Sequence, residues 1–176
     1  MAAWRSYGVL GLVIGVAFTG AQASEESRSL AEELIRTMKA DDQILELAEK
    51  QILSQCRYEK CDDELRQCLF KFDRDEFFGI LVYFAERELT PVEMQAAITY
   101  FRSEVGDKHR QIMRTELGLA KATLNDQTPE ARAAMLAFLD TPAGYRLVTR
   151  ALLTNSEKVR QLIRHQARGA FYRCQP

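Results

Sequence analysis

Apolar positions recur at helical spacing along most of the chain. Leu30, Leu34 and Met38 keep one such face, and Ile44, Leu47, Ala48 and Ile52 keep the next. Asp41-Asp42 stands between the two runs and predicts a break there, with the second helix capped by a carboxylate. Arg57–Lys60 reads as a short connector, and Asp62-Asp63 caps the helix after it, where acids suit the helix dipole. Phe77–Ala85 (FFGILVYFA) is an uncharged run between Asp73 and Glu86-Arg87. No partner strand or hairpin turn is visible, so the run predicts a buried central helix, apolar all round.

The second half of the chain is organised by an echo. Thr90–Gly106, TPVEMQAAITYFRSEVG, returns at Thr128–Gly144 as TPEARAAMLAFLDTPAG. Thr90 and Thr128 are placed to cap helices, and Pro91 and Pro129 fill the first position, where an N–H has no partner. Glu93 completes a capping box in the first copy. Tyr100 aligns with Phe138, beside Phe101 in the first copy. Ser103 and Thr141, the latter followed by Pro142, are placed to cap the helices that follow. Gly106 and Gly144 then allow another backbone to approach closely. Met94, Ala97, Ile98, Phe101 and Val105 form one apolar stripe. In the second copy Met135, Leu136 and Leu139 point inward, and Leu147, Ala151 and Leu152 continue the face. Asn155 or Ser156 caps a last helix with Val159, Leu162, Ile163, Ala167 and Phe171 on one side.

These signals predict an all-α, single-domain bundle of about six to eight helices with two related helix-pair units. N-terminal helices span 24–88, a first helix-pair unit spans 89–127, and the second unit with a basic C-terminal helix spans 128–176. Residues 1–23 read as a cleaved signal peptide. Arg5 is its positive start, Val9–Phe18 its apolar run, and Ala21-Gln22-Ala23 its small-x-small cleavage pattern. The mature chain then begins at Ser24, in the periplasm. The only tryptophan, Trp4, leaves with the leader, which argues against a Trp-lined sugar platform.

Export changes how the cysteines are read. Cys56, Cys61, Cys68 and Cys174 all follow the leader, and an even number in an exported chain predicts two disulfides. Their spacing fits neither a common zinc motif nor a Cys-x-x-Cys redox site. Cys61 and Cys68 fall on one predicted helix, roughly 10 Å apart along its axis, too far for a bridge. Cys56–Cys61 across the connector, with Cys68–Cys174, is therefore expected. The alternative is Cys56–Cys68 with Cys61–Cys174.

Charge is uneven. Residues 24–100 carry eighteen acids against ten bases, whereas 144–176 carry seven bases and one acid, Glu157. Lys158, Arg160, Arg164 and Arg168 make the last helix basic. It is expected to cover the core from the acidic half, with weak contact to an anionic surface as the other role. Export argues against nucleic acid.

Leu89, Thr90 and Glu93, followed by Tyr100-Phe101, Ser103, Gly106 and Lys108, resemble the signature of an exported bacterial family called domain of unknown function 2059. That signature favours Pro where this chain has Glu104, and the second copy carries the Pro, as Pro142. The resemblance covers about twenty residues and implies a small all-helical periplasmic protein. It brings no activity and no catalytic residues.

No Gly-rich phosphate loop and no Gly-x-Ser-x-Gly elbow occurs. His109 and His165 sit in no ligand motif and read as solvated surface histidines. No catalytic, cofactor-binding or metal-ligating residue is assigned. The expected function is an accessory or interaction protein of the cell envelope, binding an envelope protein through an apolar groove between helix pairs. Two alternatives are an envelope hydrolase with a carboxylate or histidine site and a carrier of an apolar small molecule. Buried ionisable groups clustered in a cleft would favour the hydrolase. A cavity beside Phe77, Phe78 and Phe84 would favour the carrier.

Overall fold

A computed structural model describes residues 17–59, 61–71, 74–154 and 156–174. The chain forms an all-α, single-domain bundle, with no strand among the described residues. The leader features at Arg5 and most of Val9–Phe18, and the predicted boundary residues Asp73 and Asn155, lie outside the described residues. Among the described residues no helix is long and apolar enough to cross a membrane.

Helix α1 (Ala17–Met38) and helix α2 (Ala40–Glu59) meet at a sharp break. Lys39 there takes a left-handed φ of 53°, which few non-glycine residues adopt. Asp41 and Asp42 do not cap α2 but lie in its first turn. The end of α1 is satisfied from elsewhere. Gln43 Nε2 donates to the Met38 carbonyl at 3.0 Å, and Arg110, far along the chain, donates to the Thr37 carbonyl. These bonds answer the unpaired carbonyls that any helix end leaves.

The connector expected at Arg57–Lys60 is instead helical as far as Glu59. No proline or glycine interrupts that stretch, so α2 runs on past Cys56 before the chain turns. Asp62 then caps helix α3 (Asp63–Leu69), accepting from the Leu65 N–H at 2.8 Å. Helix α4 (Arg74–Glu88) buries Phe77, Leu81, Val82 and Ala85 against α1 and α2. It is not buried all round. Gly79 and Tyr83 face solvent, because α4 has neighbours on one side only.

The two repeats follow. Helices α5 (Pro91–Arg102) and α6 (Glu104–Glu116) form the first unit. Helix α7 (Pro129–Leu139) opens the second, followed by a single turn, α8 (Pro142–Gly144), that widens into a π-helical stretch over Tyr145–Thr149. The second helix of this unit stops early. Ala151, expected to continue it, has a left-handed φ of 47° and turns the chain away. Helix α9 (Glu157–Cys174) returns across α2 and α3.

One large core joins α1, α2, α4, α5 and the repeat units with the start of α9. A smaller core of Ile52, Cys56, Cys61, Leu69, Ala167 and Ala170 lies at the other end of α9. Disulfides join Cys56 to Cys61 and Cys68 to Cys174 at that end. The second ties α9 to α3, with Cα atoms 5.8 Å apart. Lys158 reaches back to Glu88 at 2.6 Å, so one charge of the basic helix is spent on the acidic half. Arg160 and Arg164 pair with Glu157 on their own helix.

Candidate functional site

The echoed residues build the same device twice. Thr90 accepts from the Glu93 N–H, and Thr128 accepts from the Ala131 N–H. Glu93 returns a bond to the Thr90 N–H at 2.8 Å, closing the capping box. At the second corner Ser103 Oγ donates to the Tyr100 carbonyl at 2.6 Å and accepts from the Gly106 N–H at 3.0 Å. Thr141 Oγ1 does the same with Phe138 and Gly144, at 2.7 and 3.0 Å. Each hydroxyl therefore closes one helix and opens the next.

The corners are so tight that only glycine fits behind them. A Cβ on Gly106 would lie 2.1 Å from the Tyr100 carbonyl oxygen, and one on Gly144 would lie 1.9 Å from that of Phe138. The approaching backbone comes from the preceding helix of the same unit.

The two units meet through matching residues. Tyr100 and Phe138 stack with centroids 3.7 Å apart, and Phe101 meets Phe138 edge-on at 5.4 Å. His109 closes the cluster. It is not a solvated histidine: only 3% of it is exposed, and its Nδ1 lies 2.7 Å from the Tyr100 hydroxyl. Burial pushes the imidazole down to about 4 and pushes the Tyr100 phenol up. Both groups are thus neutral at pH 7, sharing one hydrogen bond. The repeat itself carried the missed signal, because position 109 aligns with Leu147, which is fully buried. His165 is exposed on α9.

Arg146 adds a clamp that no local pattern announces. Its guanidinium donates to the Glu88 carbonyl at 2.6 Å and to the Glu93 carboxylate at 3.0 Å. It ties the second unit to the capping box of the first. Burial works against the Glu93 carboxylate, but Thr90 and Arg146 outweigh it and hold the carboxyl below its ordinary range.

Two of the depressions on the surface differ in chemistry, and a third, of about 490 Å³, is lined by Ser24, Ser27, Tyr83, Glu86 and Arg87. A cleft of about 400 Å³ is lined by Lys39, Asp42, Glu46, Glu49, Arg74 and Arg114, among others. Its carboxylates Asp42 and Glu46 are taken by Arg74 at 2.6 Å and Arg114 at 2.8 Å. Structural ion pairing accounts for these contacts, with α2 tied to α4 and α6. A second, open groove of about 640 Å³ runs between α1 and α5. Its lining is apolar at Leu30, Pro91, Val92 and Ala96 and polar at Glu26, Gln95 and Thr99. Val92 is 79% exposed. None of the three is lined by Phe77, Phe78 or Phe84.

The groove residues carry a signal that periodicity treated as surface. On α5 the outward positions Val92, Gln95, Ala96 and Thr99 hold no charge over two turns. In a chain with 28% charged residues, an uncharged exposed face of this length stands out. The second unit departs from its pattern as well. Leu136, expected inward, is 49% exposed, because α7 is rolled so that Ala131, Met135 and Phe138 point to the core.

No protein-family model, curated protein or solved structure matches this chain.

Proposed function

We propose that this chain is a periplasmic accessory protein of the cell envelope, akin to domain of unknown function 2059, that acts by binding and not by catalysis. The open groove between α1 and α5 carries the reading. Leu30, Pro91, Val92 and Ala96 line it with uncharged apolar side chains, and Glu26, Gln95 and Thr99 add one carboxylate and two neutral polar side chains. A helical or extended segment of an envelope protein suits it, with aliphatic side chains against Leu30, Val92 and Ala96 and a cation against Glu26. Two disulfides fit an oxidising compartment.

The other two readings have less support. The one buried imidazole meets a phenol and aromatic rings, with no carboxylate partner in its contacts. The carboxylates Asp42 and Glu46 of the charged cleft are already paired. The phenylalanines proposed as a pocket wall are spent on packing or lie under cations: Arg36 sits over Phe78 and Lys158 over Phe84.

Site-specific photo-cross-linking in intact cells tests the binding role. A photoreactive residue replacing Val92 should capture an envelope protein, and one replacing Tyr83, exposed on α4, should not. Val92→Asp should abolish capture from a probe at Gln95. Equal capture from all three positions, or none from position 92, would remove the groove as the site.

A further inference from the structure

The internal repeat shows what covers one helix face and leaves its twin bare. By alignment Met94, Ile98 and Arg102 on α5 match Arg132, Leu136 and Asp140 on α7. Each trio is spaced by four residues and so forms one stripe. On α5 the stripe is covered. Met94 and Ile98 are fully buried. Arg102 pairs with Glu33 of α1 at 2.6 Å, and α1 packs along α5.

On α7 no helix among the described residues takes the place of α1. The helix packs inward on α6 and on the α8–π segment. Leu136 is 49% exposed, whereas its twin Ile98 is fully buried. Arg132 and Asp140 are exposed, and among the described residues neither forms an ion pair. Ala133 and Ala137 lie beside Leu136 on the same outward face, both exposed. The face is thus a leucine flanked by alanines, with a cation one turn before it and an anion one turn after it.

That order of charges is self-complementary. We propose that the stripe is a self-association surface, on which α7 of a second copy lies antiparallel about a two-fold axis through Leu136. The axis brings Leu136 against its own counterpart. It sets Arg132 opposite Asp140 of the second copy, and symmetry makes that ion pair twice. A parallel pairing would instead place arginine against arginine and aspartate against aspartate. The alanines allow the two helices to approach closely, as small residues do wherever backbones pack near each other.

The size of the face sets the strength. The eleven residues of α7 make a rod of about 16 Å. A contact of that length falls short of the roughly 800 Å² per partner of a stable interface. The dimer is therefore weak and concentration-dependent. The stripe shares no residue with the α1–α5 groove, so association leaves that groove open.

Sedimentation equilibrium of the exported chain, from about 10 µM to about 1 mM, tests this. The mean mass should rise towards that of two chains. Leu136→Asp should abolish association. Arg132→Asp and Asp140→Arg should each weaken it about tenfold or more, because each reverses both ion pairs. The double variant R132D/D140R should restore it to within about twofold, because the pattern is again complementary. Val92→Asp, in the groove, should leave this self-association unchanged. All these positions are exposed, and circular dichroism of each variant confirms that it folds. A monomer at every concentration, single reversals without effect, or loss of association in Val92→Asp would each overturn the proposal.

Discussion

Tyr100 and Phe138 hold the same place in two copies of one helix-pair motif, and they stack on each other with ring planes 7° from parallel. The units therefore touch through corresponding residues, although the two helices α5 and α7 are rolled differently against the core. Phe101 and His109 stand edge-on to Phe138, a favoured geometry for aromatic contacts. Phe138→Ala removes the ring on which three others rest and should cost about 3–5 kcal/mol. Tyr100→Phe keeps the stack but leaves the buried His109 Nδ1 without its partner, so its cost should be about 1–3 kcal/mol. Urea unfolding compares them, and equal costs would mean the stack is incidental.

Three glycines in helices should behave in opposite ways. Gly106→Ala and Gly144→Ala each drive a methyl into a backbone carbonyl of the preceding helix, and neither corner can open without losing its hydroxyl cap. Each should cost about 3 kcal/mol or more. Gly79 is exposed in α4, and a methyl added there would meet nothing within 4 Å. Gly79→Ala should therefore stabilise by about 0.5–1 kcal/mol. Thermal unfolding of the three variants gives the ranking, and a mild Gly144→Ala would contradict the shared-corner argument.

His109 makes stability depend on pH in a definite window. Its folded value of about 4 lies below the ordinary 6.5, so between the two the unfolded chain binds the proton that the native chain refuses. Stability should therefore be unaffected by this group above pH 6.5, fall as pH drops towards 4, and level off below. The loss is on the order of 3 kcal/mol. Glu88 and Glu93, whose carboxyls are held low, push in the same direction at more acid pH. Comparison with the double variant Tyr100→Phe/His109→Leu isolates the histidine. Removing both partners leaves no orphaned polar group, and the variant should lose the slope between pH 6.5 and 4. An unchanged slope would place the titration elsewhere.

How far the sequence carries depends on how local the cause is. Caps at Asp62, Thr90, Thr128, Ser103 and Thr141 involve bonds across three residues, so residue type and spacing were enough to place them. The pairing found is the one expected from helix reach, which argued against Cys61–Cys68, and from the short connector, which favoured Cys56–Cys61, although Cys61 lies just before α3 and not on it as expected. Burial at single positions was harder, because it depends on which neighbours a helix has. Leu136 fits an apolar period but has no helix over it, and Tyr83 lies in an apolar run on the open side of α4. The bonds from Arg110 to Thr37 and from Arg146 to Glu88 join residues far apart in the chain, and no spacing rule reaches them. An apolar groove was expected between the helix pairs; the open groove instead lies between α1 and α5, a place that depends on how α1 crosses the first unit.

The two disulfides should differ in what they hold. Cys56–Cys61 closes a sequence separation of 5, and Cys68–Cys174 closes one of 106. In the chain-entropy model the short loop is worth about 2 kcal/mol and the long one about 4–5. Cysteines 56 and 61 are buried, so replacing both with alanine adds a packing cost to the first figure. The long bridge also has a local task. It lies at the last residue of α9, where the small core of Leu69, Ala167 and Ala170 supplies little apolar area. The other end of α9 is held by Val159 and Ile163 in the main core and by the Lys158–Glu88 pair. Cys68→Ala/Cys174→Ala should therefore lower global stability by about 4 kcal/mol and free the C-terminal turns of α9 first. Hydrogen exchange should show protection lost from Cys174 back to about Ala167 and retained near Ile163. Uniform loss along α9 would mean that the helix docks as one unit through the bridge, and unchanged protection at Ala170 would mean that its small core suffices without it.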